Sequence, residues 1–208
     1  MARVDFSLCL ITDRHQTGGR PLLDVVRAAL RGGVRAVQLR EKDLPAGALL
    51  ALARDLTDLA RPYEARVLIN DRADICLAAG SAGVHLPATG LPVSAARGLL
   101  GPDRLIGVSA HSAEEAARVE QEGADFVVLG PIFETPSKRA FGPPIGLREL
   151  ERARTHCRVP LFGIGGITTD RVHDVLKAGA RGVAVIGSVM AAEDVERASR
   201  EFLHALEG

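Results

Sequence analysis

Eight times along the chain a short β-rich run is followed by a longer segment whose apolar residues recur at helical spacing, and this alternation limits the fold more than any other feature. The β-rich runs are SLCLITD (7–13), AVQLREK (36–42), RVLIND (66–71), GVHLP (83–87), LIGVSAH (105–111), FVVLGPI (126–132), PLFGIGG (160–166) and GVAVIGS (182–188). Between them lie Ala-, Leu-, Arg- and Glu-rich stretches such as PLLDVVRAALRGG, several closed by a glycine of the kind that ends helices. Strands separated by helices pair in parallel. Eight such units without a long unassigned insertion predict an α/β fold, a (β/α)8 TIM barrel forming one domain over residues 1–208, with an open doubly wound sheet as the alternative. The phrases RGGVRAVQL, QEGADFVVL and KAGARGVAV repeat one unit of helix end, glycine and strand.

Composition narrows the partners. The 26 Lys and Arg balance 26 Asp and Glu, so nothing in the overall charge favours nucleic acid or an anionic membrane, and basic residues that matter must act locally. No apolar run approaches the ~18 residues of a membrane span, and the first residues lack a signal-peptide pattern, which predicts a cytoplasmic protein. Cys9, Cys76 and Cys157 are odd in number, far apart and set among apolar neighbours, as expected of buried free thiols. Only Lys42, Lys138 and Lys177 among the basic residues are lysine, and Asn70 is the sole asparagine. Oligomeric state is not set by the sequence, and a homo-oligomer is left open.

In a barrel of this class chemistry gathers at the C-terminal strand ends. The period of two puts Gln38, Arg40 and Lys42 on one face of the second strand and Val37, Leu39 and Glu41 on the other. If the polar face looks inward, two cations converge near the mouth and call for an anion; the alternative is a short strand with a solvated end. The third strand ends in Asn70 and Asp71, and Asp71 suits either a Mg²⁺ shared with substrate phosphates or the N-cap of the next helix. Ser109 can donate to an anion, whereas His111 fits a loop edge and Ser112 with Glu115 has capping-box spacing. The GPIFETPSKRAFGPP segment is long enough for a binding loop, in which Thr135, Ser137 and Lys138 can wrap an anionic group. Gly165 and Gly166 after the seventh strand, and Gly187 and Ser188 after the eighth, stand where barrels of this class often cradle a phosphate, although they also serve simply to turn the chain. The pattern thus holds two anion sites, one neutral and one cationic, which fits displacement of pyrophosphate between two phosphorylated substrates, with no Ser-His-Asp set or cysteine nucleophile evident.

Taken in order, QLREK, IND, GVHL, GVSAHS, GPIFETPSK, GIGGI and GVAVIGS resemble the thiamine-phosphate synthase and TenI superfamily over nearly the whole chain. The resemblance implies a transferase of thiamine biosynthesis that joins hydroxymethylpyrimidine pyrophosphate to thiazole phosphate with Mg²⁺ and releases pyrophosphate. It implies that Arg40, Lys42, Asn70 and Lys138 hold the pyrophosphate, with Asp71 as metal ligand and Gln38 and Ser109 nearby. Thr135, Ser137, Gly166, Gly187 and Ser188 would face the thiazole phosphate. Synthases of this family typically read GVHLGQxDLP where this chain has GVHLPATGLP, so Pro87 replaces a glycine and Gly90 replaces a second metal-binding aspartate. The TenI branch, which includes a thiazole tautomerase, also lacks that aspartate, but its histidine after the strand-six glycine is Pro131 here. A TenI-like tautomerase and a non-catalytic barrel that binds thiazole or thiamine phosphate are the alternatives.

Overall fold

The computed structural model describes residues 4–135 and 143–208. Eight parallel strands close on themselves in the order β1 (Leu8–Ile11), β2 (Ala36–Leu39), β3 (Arg66–Asn70), β4 (Gly83–Leu86), β5 (Leu105–Ala110), β6 (Phe126–Leu129), β7 (Leu161–Ile164) and β8 (Gly182–Val185), with β8 pairing back onto β1. The expected (β/α)8 barrel is the fold, and the open-sheet alternative is not. Helices α1 (Leu22–Arg31), α2 (Ala46–Ala60), α3 (Ala73–Ala79), α4 (Val93–Leu100), α5 (Ala113–Gln121), α6 (Gly146–His156) and α7 (Val172–Lys177) follow the first seven strands. Two more, α8 (Gly187–Met190) and α9 (Val195–Glu207), follow β8.

Several strands end earlier than their β-rich runs. The second stops at Leu39 rather than 42, and the eighth at Val185 rather than 188, so that Gly187 and Ser188 open the four-residue helix α8. The extra residues are strand-like in composition, but at a barrel rim there is no longer a neighbour on each side to pair with.

Strand alternation divides the core in two. Outward side chains such as Leu10, Val37, Leu39, Ile69 and Val127 pack under the helices. Inside the barrel, Phe6, Cys9, Leu68, Leu105, Phe126 and Phe162 fill the lower half. The three phenylalanines form a cluster with ring centroids 5.2 to 5.7 Å apart, a geometry favourable to aromatic pairs. This apolar plug closes the bottom of the barrel. Above it the inward positions turn polar, with Gln38, Asn70, His85 and Ser109, so polar chemistry is confined to the C-terminal rim. Among the described residues no helix is long and apolar enough to cross a membrane.

Candidate active site

The polar layer is built from four adjacent strands. Gln38 Nε2 donates to Asn70 Oδ1 at 3.1 Å, linking β2 to β3, and His85 Nε2 lies 2.9 Å from Ser109 Oγ, linking β4 to β5. Gln38 on the second strand therefore turns inward, as the sequence alternation offered, while Arg40 and Lys42 lie beyond the strand's last residue, Leu39. Gln38 and His85 are almost fully buried, and Gln38 Oε1 and His85 Nδ1 have no hydrogen-bond partner within the described structure. Unsatisfied buried polar atoms are uncommon, and two of them lie in this one layer, on β2 and β4 with β3 between them. Burial, assisted by the nearby charge of Arg40, pushes His85 down to about 4, so its imidazole is neutral at physiological pH.

Beside this layer lies a cavity of about 290 Å³ whose polar lining comes from Glu41, Lys42, Asn70, Asp71 and Arg72, with Pro87 on the far wall. Asn70 belongs to both the cavity and the polar layer. Asp71 adopts a left-handed backbone with φ of 65° and its N–H donates to the His85 carbonyl, which fixes it to the rim between β3 and β4. It is not the N-cap of α3; that position is Arg72, without a capping side chain. Arg72 is instead paired with Asp74.

Glu41 was assigned no role from sequence, yet it is the buried acid of the region. Its Oε1 accepts from Thr12 Oγ1 at 2.7 Å, and its Oε2 accepts from the backbone N–H and the guanidinium of Arg14, each at 3.2 Å. Arg14 also reaches Asp43 and, through that hydrogen bond, holds the Asp43 carboxyl down to about 2. With Glu41 so engaged, Asp71 is the carboxylate of the cavity left to meet a cation. Among the described residues no cluster of three or more His, Cys, Asp or Glu is arranged around a metal position.

The neighbouring position 90 adds no carboxylate to Asp71. A Cβ on Gly90 would start 3.0 Å from Asp71 Oδ1, so the residue is in the right place to supply a partner for Asp71, but the same Cβ would lie 2.8 Å from Pro87 Cδ. Glycine and proline at these two positions fit each other and leave Asp71 with the charge of Arg72 nearby but no carboxylate from position 90.

On the opposite side of the mouth, Gly165 and Gly166 take φ values of 99° and 62°, which glycine adopts without steric cost. Their missing side chains are occupied by the β6–α6 loop: a Cβ on Gly165 would meet Pro131 Cβ at 2.7 Å, and one on Gly166 would meet the Glu134 carbonyl oxygen at 2.5 Å. Phe133 N–H donates to the Gly165 carbonyl, Arg171 donates to the Gly166 carbonyl at 2.7 Å, and the same guanidinium lies 4.8 Å above the Phe133 ring. Loop packing thus gives these glycines a reason independent of any phosphate. Ser188 Oγ donates to the Ile167 carbonyl at 2.9 Å, which ties α8 to the β7 turn, and Gly187 faces Gln16 Oε1 closely enough that a Cβ would stand 2.7 Å from it. Thr135 lies half-buried at the end of the described loop, while Ser137 and Lys138 lie outside the described residues.

The other assignments divide cleanly. Ser112 caps α5 by accepting from Glu115 N–H, and Glu115 reaches back to the His111 N–H. His111 Nδ1 lies 2.7 Å from the Gly130 carbonyl oxygen, an interaction that joins the ends of β5 and β6. The three cysteines are free and buried, and burial pushes Cys9 up to about 12 and Cys76 and Cys157 to about 11. None supplies a thiolate.

A family profile described as thiamine monophosphate synthase matches residues 8–189. The chain belongs to this family. Within the thiamine monophosphate synthase family, a putative thiamine-phosphate synthase of Geobacter sulfurreducens is 53% identical over 99% of this chain and 97% of its own length. A thiamine-phosphate synthase of Roseiflexus castenholzii is 45% identical over 92% of this chain and 84% of its own. The solved structure of thiamine phosphate pyrophosphorylase from Pyrococcus furiosus superimposes with a TM-score of 0.88 at 37% identity, covering 97% of this chain and 95% of that one. A 3-hexulose-6-phosphate synthase at 20% identity and a TM-score of 0.72 shares the fold alone. Family membership makes this chain a transferase of thiamine biosynthesis. Of the residues that define its site, His85 and Glu41 went unassigned from sequence; the alternation of β4, with Val84 and Leu86 outward, already turned His85 inward, whereas nothing local to Glu41 announces Thr12 and Arg14.

Proposed function

We propose that this single-domain chain joins hydroxymethylpyrimidine pyrophosphate to thiazole phosphate, forming thiamine phosphate and releasing pyrophosphate. The observation that carries this reading is the polar layer of Gln38, Asn70, His85 and Ser109, with two unsatisfied buried atoms, opening beside the cavity that Lys42 and Asp71 line. In the reaction the bond between the pyrimidine methylene carbon and the pyrophosphate oxygen breaks, and the thiazole nitrogen donates its electron pair to that carbon. Arg40, Lys42 and Lys138 would stabilise the charge gathering on the departing pyrophosphate, and Asn70 would donate to its oxygens. Gln38 would orient the pyrimidine and Ser109 would lie close to the same substrate. Thr135, Ser137, Gly165, Gly166, Gly187 and Ser188 would receive the thiazole phosphate, with the backbone N–H groups of Gly187 and Ser188 at the start of α8 as candidate donors. No covalent nucleophile is needed, in keeping with three protonated thiols.

The donor set fits Mg²⁺ as a partner shared with substrate: one hard carboxylate, Asp71, with phosphate oxygens completing the shell. When bound there, Mg²⁺ would neutralise pyrophosphate charge. The free buried thiols and the absence of any spanning helix among the described residues support a cytoplasmic setting. Pro131 offers no proton-transferring group where the tautomerase histidine would stand, which disfavours the TenI-like alternative. The deciding experiment incubates the protein with both synthase substrates and Mg²⁺, and separately with the carboxythiazole phosphate tautomer, and follows products by chromatography. Thiamine phosphate above the enzyme-free control is expected; its absence, with turnover of the tautomer, would replace this reading by the tautomerase, and binding without turnover of either would replace it by the non-catalytic barrel.

A further inference from the structure

The segment from residue 40 to residue 43 is tied to the end of β1 at alternate side chains and at the backbone. Arg40 N–H donates to Thr12 Oγ1 at 2.9 Å, and the same hydroxyl donates to Glu41 Oε1 at 2.7 Å. Glu41 Oε2 receives Arg14 from both its backbone and its side chain. Asp43 in turn holds Arg14 at 2.6 Å and His15 at 3.2 Å. Thr12 is fully buried and the Glu41 side chain nearly so. Strand pairing has already ended at Leu39, so these contacts do the work that a ladder does elsewhere. They fix residues 40, 41 and 43 against the β1 rim, with the Arg40 charge close enough to act on His85 and Lys42, in the turn that Leu44 N–H closes on the Glu41 carbonyl, lining the cavity with Asn70 and Asp71.

We infer that Thr12 and Glu41 are positioning residues for the transferase reaction, holding the strand-two exit so that Arg40 and Lys42 converge on the pyrophosphate group. This rests on the reading under Proposed function. A buried carboxylate has a high desolvation cost, and here that cost is met by three hydrogen bonds spanning 27 and 29 residues of sequence, which a merely solvated strand end would not require. Thr12 is the pivot, because its hydroxyl serves both the Arg40 backbone and Glu41.

The test uses inorganic pyrophosphate with Mg²⁺ as the probe, with affinity read by titration calorimetry alongside the melting temperature and the KM of each substrate. Thr12→Val keeps the shape but leaves the Arg40 N–H without its acceptor; pyrophosphate binding should weaken about tenfold, Thr12→Ser should restore it, and the KM for thiazole phosphate should stay unchanged. Arg40→Ala and Lys42→Ala are the controls for the functional reading. If both bind pyrophosphate as the wild type does, that reading fails and the positioning role with it. If they bind weakly while Thr12→Val binds normally, or if Thr12→Ser is as weak as Thr12→Val, only the positioning role is overturned. Should Thr12→Val not fold, Glu41→Gln makes the same comparison: it retains the size but loses the charge that holds Arg14, and normal pyrophosphate affinity in that variant overturns the inference.

Discussion

At position 90 a single residue decides whether Asp71 has a second carboxylate beside it. Its Cα faces the Asp71 carboxylate, but any side chain must pass the Pro87 ring at 2.8 Å, and a proline ring is poor at yielding. Gly90→Asp alone should therefore lose about 1 to 3 kcal/mol of stability through overpacking, measured by urea denaturation, and should gain little in metal binding. Pro87→Gly combined with Gly90→Asp removes the contact with the proline ring, leaving the Asp71 carboxylate, 3.0 Å from the new Cβ, to turn slightly and gain a partner; the Mg²⁺ concentration for half-maximal rate should fall about tenfold, and Mn²⁺ binding followed by electron paramagnetic resonance should tighten in parallel. An unchanged Mn²⁺ affinity in the double variant would show that Asp71 is not a metal ligand. The same scale explains the thiols. With all three buried and held protonated, none of Cys9, Cys76 or Cys157 should react with a disulfide reagent at pH 8 in the native protein, while all three should react in urea.

Among the elements, the β6–α6 loop and the β7 turn act as one piece. Ile132 and Phe133 extend the pairing of β6 with β7 past the strand ends through their N–H bonds to Ile164 and Gly165, and Arg171 clamps the turn from above. Gly166→Ala would set a Cβ 2.5 Å from the Glu134 carbonyl at a φ of 62°, so the loop must lift away from the turn. A stability loss of about 1 to 3 kcal/mol is expected; if the proposed reading holds, the KM for thiazole phosphate rises and that for the pyrimidine pyrophosphate, assigned across the mouth, stays unchanged. Equal rises in both KM values would count against a division of the mouth into two anion sites. Much at this scale was legible in the sequence, because strands and long amphipathic helices write their period into consecutive residues. Every one of the eight strands falls inside its β-rich run, and the inward face of β2 follows from alternation. Helix α8 was not legible: four residues are too few to display a helical period, so GVAVIGS reads as strand to its end. Glu41 was hidden for a different reason, since its partners, Thr12 and Arg14, lie just past β1 and meet it only when the barrel closes.

For the molecule as a whole, the barrel divides into an apolar plug and a polar rim, and His85 sits where they meet. Its ring lies against Phe126, at 5.9 Å between centroids, while Nε2 reaches Ser109. Ordinary histidine takes up a proton near 6.5, but His85 in the folded barrel does so only near 4, because burial first and the Arg40 charge second disfavour the imidazolium. Below about pH 6.5 the unfolded chain therefore binds a proton that the folded chain does not, and stability falls as pH falls, levelling off once pH passes below about 4. The gap is worth roughly 2 to 3 kcal/mol between pH 7 and pH 4.5. Exposed carboxylates such as Asp43 and Asp74, held low by Arg14 and Arg72, lose their stabilising contribution only as pH falls below the ordinary carboxylate range, so the two effects separate in pH. Urea midpoints at pH 7, 5.5 and 4.5 should show the decline in the wild type, and His85→Gln, which places a group that does not titrate in the same layer, should flatten it over that interval while leaving the steeper loss below pH 4 in place. A decline of equal size in His85→Gln would mean that another group carries the acid sensitivity and that His85 exchanges protons with solvent more freely than its burial implies.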